Sequence, residues 1–438
     1  MRIIPVLIAT MAIVLLSVIG YSATASASVA NVSAGAFHTV VLTDDGAVWT
    51  WGWTDTPWGI LGTGKDQSDG SLRRLDTLPK IVAVNAKFET SLAIDGDGRV
   101  WAWGDNSYGQ CGKSGSASFS SPVLVPNLAH IVQVSGGGLH CAAVDENGHV
   151  WTWGDNLYGQ LGTGRTGLVQ YEPVQISIDN VKMVSAGNGY TVALKKDGTV
   201  WAWGENTYGM TGNSWKGNTL APSQVEGLWD IVKIDAGYDH TLALRSDGTV
   251  WAWGDGEENK LCNGDGYYGT PTVRVPVQVN GLPPAADIAA GDHSSMVLGR
   301  DGTVYNWGSN GDGQYGNGID LWMPAQAPVK VPDMSNVVSI STGYGHSVAV
   351  KNDGSLWVWG RNLEDQVQPG KGKKVMTPMK KLDGGTMTPG AQSTPTTPAS
   401  SAAAAAAAAD MVLYITVGGV VLLAIAVIGF ILLLRMRK

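Results

Sequence analysis

Cysteine is scarce in this 438-residue chain: Cys111, Cys141 and Cys262 are all there is, and neither a disulfide framework nor metal-ligand spacing follows from them. Basic charge is short as well. Arg2, Arg435, Arg437 and Lys438 take four of the 29 Lys and Arg to the two ends, which leaves 25 in segment 28–410 against all 37 Asp and Glu, a balance of −12. That sign argues against a nucleic-acid partner, since phosphate recognition needs a basic face. A converging acid, base and nucleophile is also missing, because the acids close together outside the repeated positions are Glu257, Glu258 and Asp265, with no orienting His or Lys. Two oxygen-rich stretches, Asn310 to Asp320 and Asp95 to Gly98, lack the spacing and terminal Glu of a calcium loop. The reading is no enzyme, no cofactor and no metal.

What is present is repetition. The segment AGAFHTVVLTDDGAVWTWG at 34–52 returns six more times, its closing Trp falling at Trp51, Trp103, Trp153, Trp203, Trp253, Trp307 and Trp359, a step of 50 to 54 residues. A period of that size means a propeller, a solenoid or an array. Each copy places Asp-Gly or Asn-Gly between two β-branched or aromatic runs, with the glycine at Gly46, Gly98, Gly148, Gly198, Gly248, Gly302 and Gly354. Such pairs tolerate positive φ and predict a tight type I′ hairpin. An alternating apolar run precedes the hairpin, and a proline-bearing run suited to an edge follows it. Each repeat therefore predicts a four-stranded antiparallel blade, and seven of them an all-β, seven-bladed propeller over 28–383. The chain starts on an inner strand near Val29 and ends on an outer one, 376–382, so the C-terminal strand is expected to complete the first blade.

The pattern G-x-x-H-T-x-x-L-x-x-D-G-x-V-(W/Y)-x-W-G-x-N-x-x-G-Q-L-G resembles the regulator of chromosome condensation repeat, and GDNLYGQLGTG at 154–164 follows it residue by residue. The resemblance covers roughly 29–383. It implies a propeller whose inner strands line a central channel and whose loops bind partners, but no single activity, since the family includes an exchange factor for the Ran GTPase, a plant ultraviolet photoreceptor, β-lactamase inhibitors and scaffold proteins. The photoreceptor carries Trp in its G-W-x-H-T segment; this chain has GAFHT, AKFET, GGLHC, GNGYT, GYDHT, GDHSS and GYGHS there, which argues against light sensing.

The chain ends suggest a place outside the cell. Residues 1–27 combine one Arg, an apolar run and small residues at 23, 25 and 27, the pattern of a secretory signal. Residues 411–434 are uncharged and, at about 1.5 Å per residue, long enough for a transmembrane helix. The basic tail 435–438 then belongs in the cytoplasm. Between propeller and membrane, 384–410 is a Thr/Pro/Ala-rich stalk. These features predict a single-pass plasma-membrane protein with its propeller extracellular.

His38, His140, His240 and His346 share one repeat position and are read, with the seven hairpin glycines, as scaffold. Residues that break the repeat are free to carry function, and they cluster in the connections after each Trp-Gly: Trp53, Trp58, Trp215, Glu257, Glu258, Tyr267, Tyr268 and Trp322. In an antiparallel blade these connections share a face with Phe37, Tyr190, Tyr238 and Tyr344. Exposed aromatics on rigidly held loops suit an extracellular protein or glycan partner. An enzyme acting on surface polysaccharide and a guanine nucleotide exchange factor are the rival readings.

Overall fold

The computed structural model describes residues 27–53, 58–64, 70–214, 217–262, 272–320, 323–363 and 365–383. The expected segments 1–26, 384–410 and 411–438 lie outside them. Among the described residues no helix is long and apolar enough to cross a membrane. Within them, 28 strands form seven four-stranded antiparallel sheets, each from strands consecutive in the chain. Blade one is Val29–Ala34, His38–Thr43, Val48–Gly52 and Arg73–Arg74. Blades two to six occupy 81–124, 131–175, 181–224, 231–278 and 285–330. Blade seven is Val337–Thr342, His346–Lys351, Leu356–Arg361 and Lys374–Leu382.

The outer strand of each blade thus belongs to its own repeat, and Lys374–Leu382 pairs with Leu356–Arg361 instead of completing blade one. Blade one is closed by Arg73–Arg74 against Val48–Gly52. The expected strand exchange is absent: in every blade, the last included, the fourth strand pairs with the third strand of the same repeat. Ring closure must then come from side chains.

Three belts of hydrogen bonds supply it. In the first, the indole Nε1 of each closing Trp donates to a backbone carbonyl of the preceding blade. Trp103 reaches Ile60, Trp153 Gln110, Trp203 Gln160, Trp253 Met210, Trp307 Lys260 and Trp359 Gln314, at 2.7–3.1 Å. Trp51 completes the set by donating to Gln366 O at 2.7 Å, from blade one to blade seven. All seven indoles are fully buried, each in the apolar layer between two blades. Two residues earlier on the same strand face, Trp151 and Trp201 pack half-buried against that layer, while Trp49 of blade one is buried within it.

The second belt uses the repeated histidine. His38 Nε2 meets Ser91 Oγ at 2.6 Å, His140 Thr191 Oγ1 at 2.7 Å, His240 Ser295 Oγ at 2.9 Å and His346 Thr39 Oγ1 at 2.9 Å. Each bond crosses to the next blade, and each ring is fully buried. Blade two carries Thr90 at this position, and its neighbour there is Cys141, a thiol that turns to Gln110 O instead. The departure from the repeat is therefore a matched pair. All three cysteines are free and buried.

The third belt lines the channel. Ser33, Asn85, Ser135, Ser185 and Asp235 accept from backbone amides of the following blade, Ala86, Gly136, Ala186, Ala236 and Ala290 respectively, and Ser341 accepts from Ala34 across the closure. Ala289 is the one position of the seven without an acceptor.

The hairpin turn also differs from the type I′ form. Gly46 N donates to Thr43 O while Thr43 N donates to Ala47 O, a three-residue loop in which only the glycine, at φ 85°, is left-handed. The residue before it has negative φ and is chosen for its side chain: Asp45 accepts from the Ala47 amide, as Asp197, Asp247, Asp301 and Asp353 do from the residues two further on.

Candidate functional site

The loop joining the first two strands of each blade presents two residues just before the repeated histidine position. In blade order they are Ala36-Phe37, Phe88-Glu89, Gly138-Leu139, Asn188-Gly189, Tyr238-Asp239, Asp292-His293 and Tyr344-Gly345. The scaffold needs neither, and they vary while the flanking columns hold. They surround one mouth of the channel.

Aromatic rings from five blades touch in sequence there. Phe88 meets Tyr238 at 5.9 Å, Tyr238 stacks on His293 at 6.3 Å, His293 meets Tyr344 at 5.3 Å and Tyr344 meets Phe37 at 5.7 Å. Trp53 extends the series at 5.3 Å from Phe37. The first contact joins blade two to blade five, which no neighbouring pair of blades could make. Lys87, also of blade two, makes the same crossing, donating to Ala236 O and lying 3.3 Å from Asp235 Oδ1. A lysine reaching over the channel brings the strands of blades two and five within one side-chain length at the mouth.

Charge is concentrated beside the rings. Lys260 is buried between Asp239 at 2.8 Å and Asp255 at 2.6 Å. Burial pulls its pKa down, but the two carboxylates outweigh burial and hold it above the usual lysine value. Burial first, and then Asp255, pushes Asp239 up to about 6 against the pull of the shared Lys260 ammonium. His293 Nδ1 lies 3.4 Å from Glu258 Oε2, and that hydrogen bond raises the histidine. Burial, Asp292 and Asp105 raise Glu89 to about 7, and burial raises Asp292 to about 6 against the pull of His293 and Lys87. Among the described residues no group of three His, Cys, Asp or Glu is set to hold a metal ion.

Of the sequence-derived site residues, Trp53 joins this mouth through Phe37 and Glu258 joins it through His293. Trp58 is half-buried and Glu257 exposed in their loops. Trp215, Tyr267, Tyr268, Trp322 and Asp265 lie outside the described residues. Tyr190 is not an exposed face residue: it fills the histidine position, fully buried, with its hydroxyl donating to His240 O at 2.6 Å. Of the acids expected to lack an orienting His or Lys, Glu258 has one, His293 at 3.4 Å, while Lys260 pairs with Asp239 and Asp255 instead. Lys260 stands where other copies have Gln110 and Gln160, which bond Asp105 and Asp155 as Lys260 bonds Asp255. Aligning the copies on the loop before the histidine gathers Phe37, Phe88, Tyr238, His293 and Tyr344 in one column pair, while Trp53, Glu258 and Lys260 lie after the Trp-Gly.

The opposite face carries a feature not foreseen. Trp229 is 55% exposed and stacks on Arg245 at 4.0 Å, with Trp251 on the cation's other contact at 4.7 Å.

Comparison with known proteins places the chain. The profile of the RCC1-like domain matches residues 12–328 and again 121–424. The ultraviolet-B receptor UVR8 of Arabidopsis thaliana is 35% identical over 86 residues, 20% of this chain and 20% of the receptor. The E3 ubiquitin-protein ligase HERC2 of Homo sapiens is 29% identical over 126 residues, 28% of this chain and 2% of the ligase. The chain thus aligns with a fifth or less of the length of these relatives. Among solved structures, Prp20p from Saccharomyces cerevisiae superposes with a TM-score of 0.68 at 24% identity, covering 76% of this chain and 85% of that one. Human WBSCR16 gives 0.64 at 24% identity, over 70% and 84%. Both share the fold.

Proposed function

The chain belongs to the RCC1-like domain family, and from that premise we propose that it is a binding propeller held outside the membrane, which presents its channel mouth to a protein partner. The observation that carries the reading is the series from Phe88 through Tyr238, His293, Tyr344 and Phe37 to Trp53, aromatic residues gathered from separate repeats onto positions that the blades do not require. Rigidly mounted aromatics of this kind are the usual anchors of a protein interface. The printed title of the Prp20p structure speaks of its binding to Gsp1p and histones, which supports protein binding as a use of this fold. The extracellular placement rests on the apolar segments 1–27 and 411–434, with the stalk 384–410 as a spacer.

The test is capture of host surface proteins by the full chain, compared with Phe37→Ala and Trp53→Ala. Loss of a defined partner with unchanged melting supports the reading, and a captured glycan would redirect it. Undiminished capture by both variants would remove the mouth from the interface. Topology is checked separately, by protease protection of the tail in intact cells.

An enzyme is the second reading, favoured by Glu89, a half-buried carboxyl that burial and the charges of Asp292 and Asp105 push up to about 7. Hydrolysis of surface polysaccharide that disappears in Glu89→Gln would replace the binding reading.

A further inference from the structure

Lys87 and Asp235 are each an exception in their repeat position. Where blade two has Lys87, the other blades place Gly35, Gly137, Gly187, Gly237, Gly291 and Gly343. A Cβ at Gly187 would run into the Tyr190 ring, and at each of the other five into a carbonyl of the next blade. Blade two departs from that geometry. Its inner strand, Ile81–Lys87, is one residue longer than the rest, pairs Lys87 with Thr90, and turns at once through Phe88 at φ 49°. None of the other six loops before the repeated histidine position holds a left-handed residue. An aromatic side chain is uncommon in that conformation and stays there only where its surroundings enforce it.

Asp235 departs in a matching way. Ser33, Asn85, Ser135, Ser185 and Ser341 fill its position elsewhere, each accepting one amide of the next blade. Asp235 does the same with Oδ2, from Ala290 at 2.8 Å, and keeps Oδ1 for Ser185 Oγ at 3.0 Å and Lys87 Nζ at 3.3 Å. Serine has no second oxygen to give. The two exceptions stand three blades apart, the widest separation a ring of seven allows, and they meet. Lys87 is buried and also donates to Ala236 O. Beside this crossing the Phe88 and Tyr238 rings touch at 5.9 Å. Phe88 is buried and Tyr238 is 40% exposed, so Phe88 is the floor under the first open ring of the series that continues through His293 and Tyr344.

We propose that Lys87 and Asp235 form a strap across the channel, which closes it beneath the aromatic mouth and holds the rings in the arrangement that the protein partner reads. Both are positioning residues, acting through Phe88 and Tyr238. This assignment rests on the binding reading above and adds to it the residues that hold the mouth in shape, since rings already fixed before contact lose little freedom on binding.

Hydrogen exchange of the full chain, followed by mass spectrometry, tests the strap without a partner. The Ala36 amide, bonded to Phe88 O, and the Asn188 amide, bonded to Tyr238 O, report on the two sides of the crossing. Lys87→Met keeps the stem and removes the charge, Lys87→Arg keeps a donor for Asp235, and Asp235→Ser installs the residue of the other blades. Exchange at both reporters should quicken about tenfold in Lys87→Met and Asp235→Ser, stay at the parent rate in Lys87→Arg, and leave the hairpin amides of blades three and seven unchanged. The Lys87 variants carry the test if Asp235→Ser fails to fold. Equal acceleration in every blade would make the pair a fastener of the whole ring, and unchanged exchange would show that the rings keep their places without it; either result overturns the assignment. Capture of host surface proteins is the second arm: Lys87→Met should weaken it about fivefold and Lys87→Arg should restore it. Quickened exchange with undiminished capture overturns the tie to recognition. A parent chain that captures nothing removes the proposed function, and the exchange rates then decide the strap alone.

Discussion

His346 Nε2 stands 2.9 Å from Thr39 Oγ1 and joins the last blade to the first across 307 positions of chain. With no strand shared between those blades, this contact, the Trp51 indole on Gln366 and the Ala34 amide on Ser341 hold the ring shut. Thr39→Ala removes the hydroxyl and leaves a buried imidazole nitrogen without that partner, which should cost about 1–3 kcal/mol. Denaturant unfolding measures the loss, and Thr39→Ser should recover most of it. A Thr39→Ala protein as stable as the parent would show that this hydrogen bond contributes nothing to the closure.

Trp153→Ala empties the layer between blades two and three and leaves the Gln110 carbonyl without its indole donor. A loss of about 3–5 kcal/mol is expected. Trp151→Ala, half-buried on the same strand face, should cost clearly less. If the two variants melt together, burial does not govern the layer.

The propeller was legible because each invariant column answers one local need. Gly46 and its six counterparts are glycine since the turn puts that residue at positive φ, and Trp153 and its counterparts are tryptophan since only an indole fills the layer and still reaches the next carbonyl. The turn type was misjudged for a physical reason: Asp-Gly suits both hairpins, and the Asp45 side chain, by accepting from the Ala47 amide, selects the three-residue form. The mouth was hidden because its members are scattered at intervals of about one repeat. Lys87 stands in a glycine column, opposite Gly35, and nothing in a local window says that it crosses to Ala236. Asp292 and His293 likewise gain their meaning only when the ring closes.

Ala289 interrupts a belt in which the other six blades place a hydrogen-bond acceptor, so no side chain receives the Thr342 amide as Ser341 receives that of Ala34. Ala289→Ser should supply one and stabilise the ring by about 1 kcal/mol. A gain in melting temperature of a few degrees, with the channel-mouth variants unaffected, is the expected outcome. A loss would mean that the methyl of Ala289 already fills the space and that the hydroxyl is crowded.

Two sets of buried groups pull the stability in opposite directions as the pH falls. Burial holds His38 and His140 near 3 and His240 well below its ordinary value, so between about 6.5 and 3 the unfolded chain binds protons that the folded one refuses. Their contribution is complete above 6.5 and is lost on acidification, at up to about 1.4 kcal/mol per pH unit for each histidine. Glu89 at about 7, and Asp239 and Asp292 at about 6, do the reverse, because the folded chain takes up protons before the unfolded one does. Their burden is full above 7 and relieved as the pH falls toward the ordinary carboxylate range. From 7 to about 4.5 the two sets largely cancel, and a nearly flat melting temperature is expected. Below about 4 the histidines are joined by Asp45, Asp95, Asp145, Asp197, Asp247, Asp301 and Asp353, whose hydrogen-bonded carboxyls are held below their ordinary value in the fold, and stability should collapse. Asp292→Asn separates the sets: it should raise the melting temperature at pH 8, where the parent carries a buried carboxylate, and bring no gain at pH 5, where most of the parent's Asp292 is already protonated. A gain of equal size at both values would show that Asp292 destabilises the fold by its packing and not by its charge.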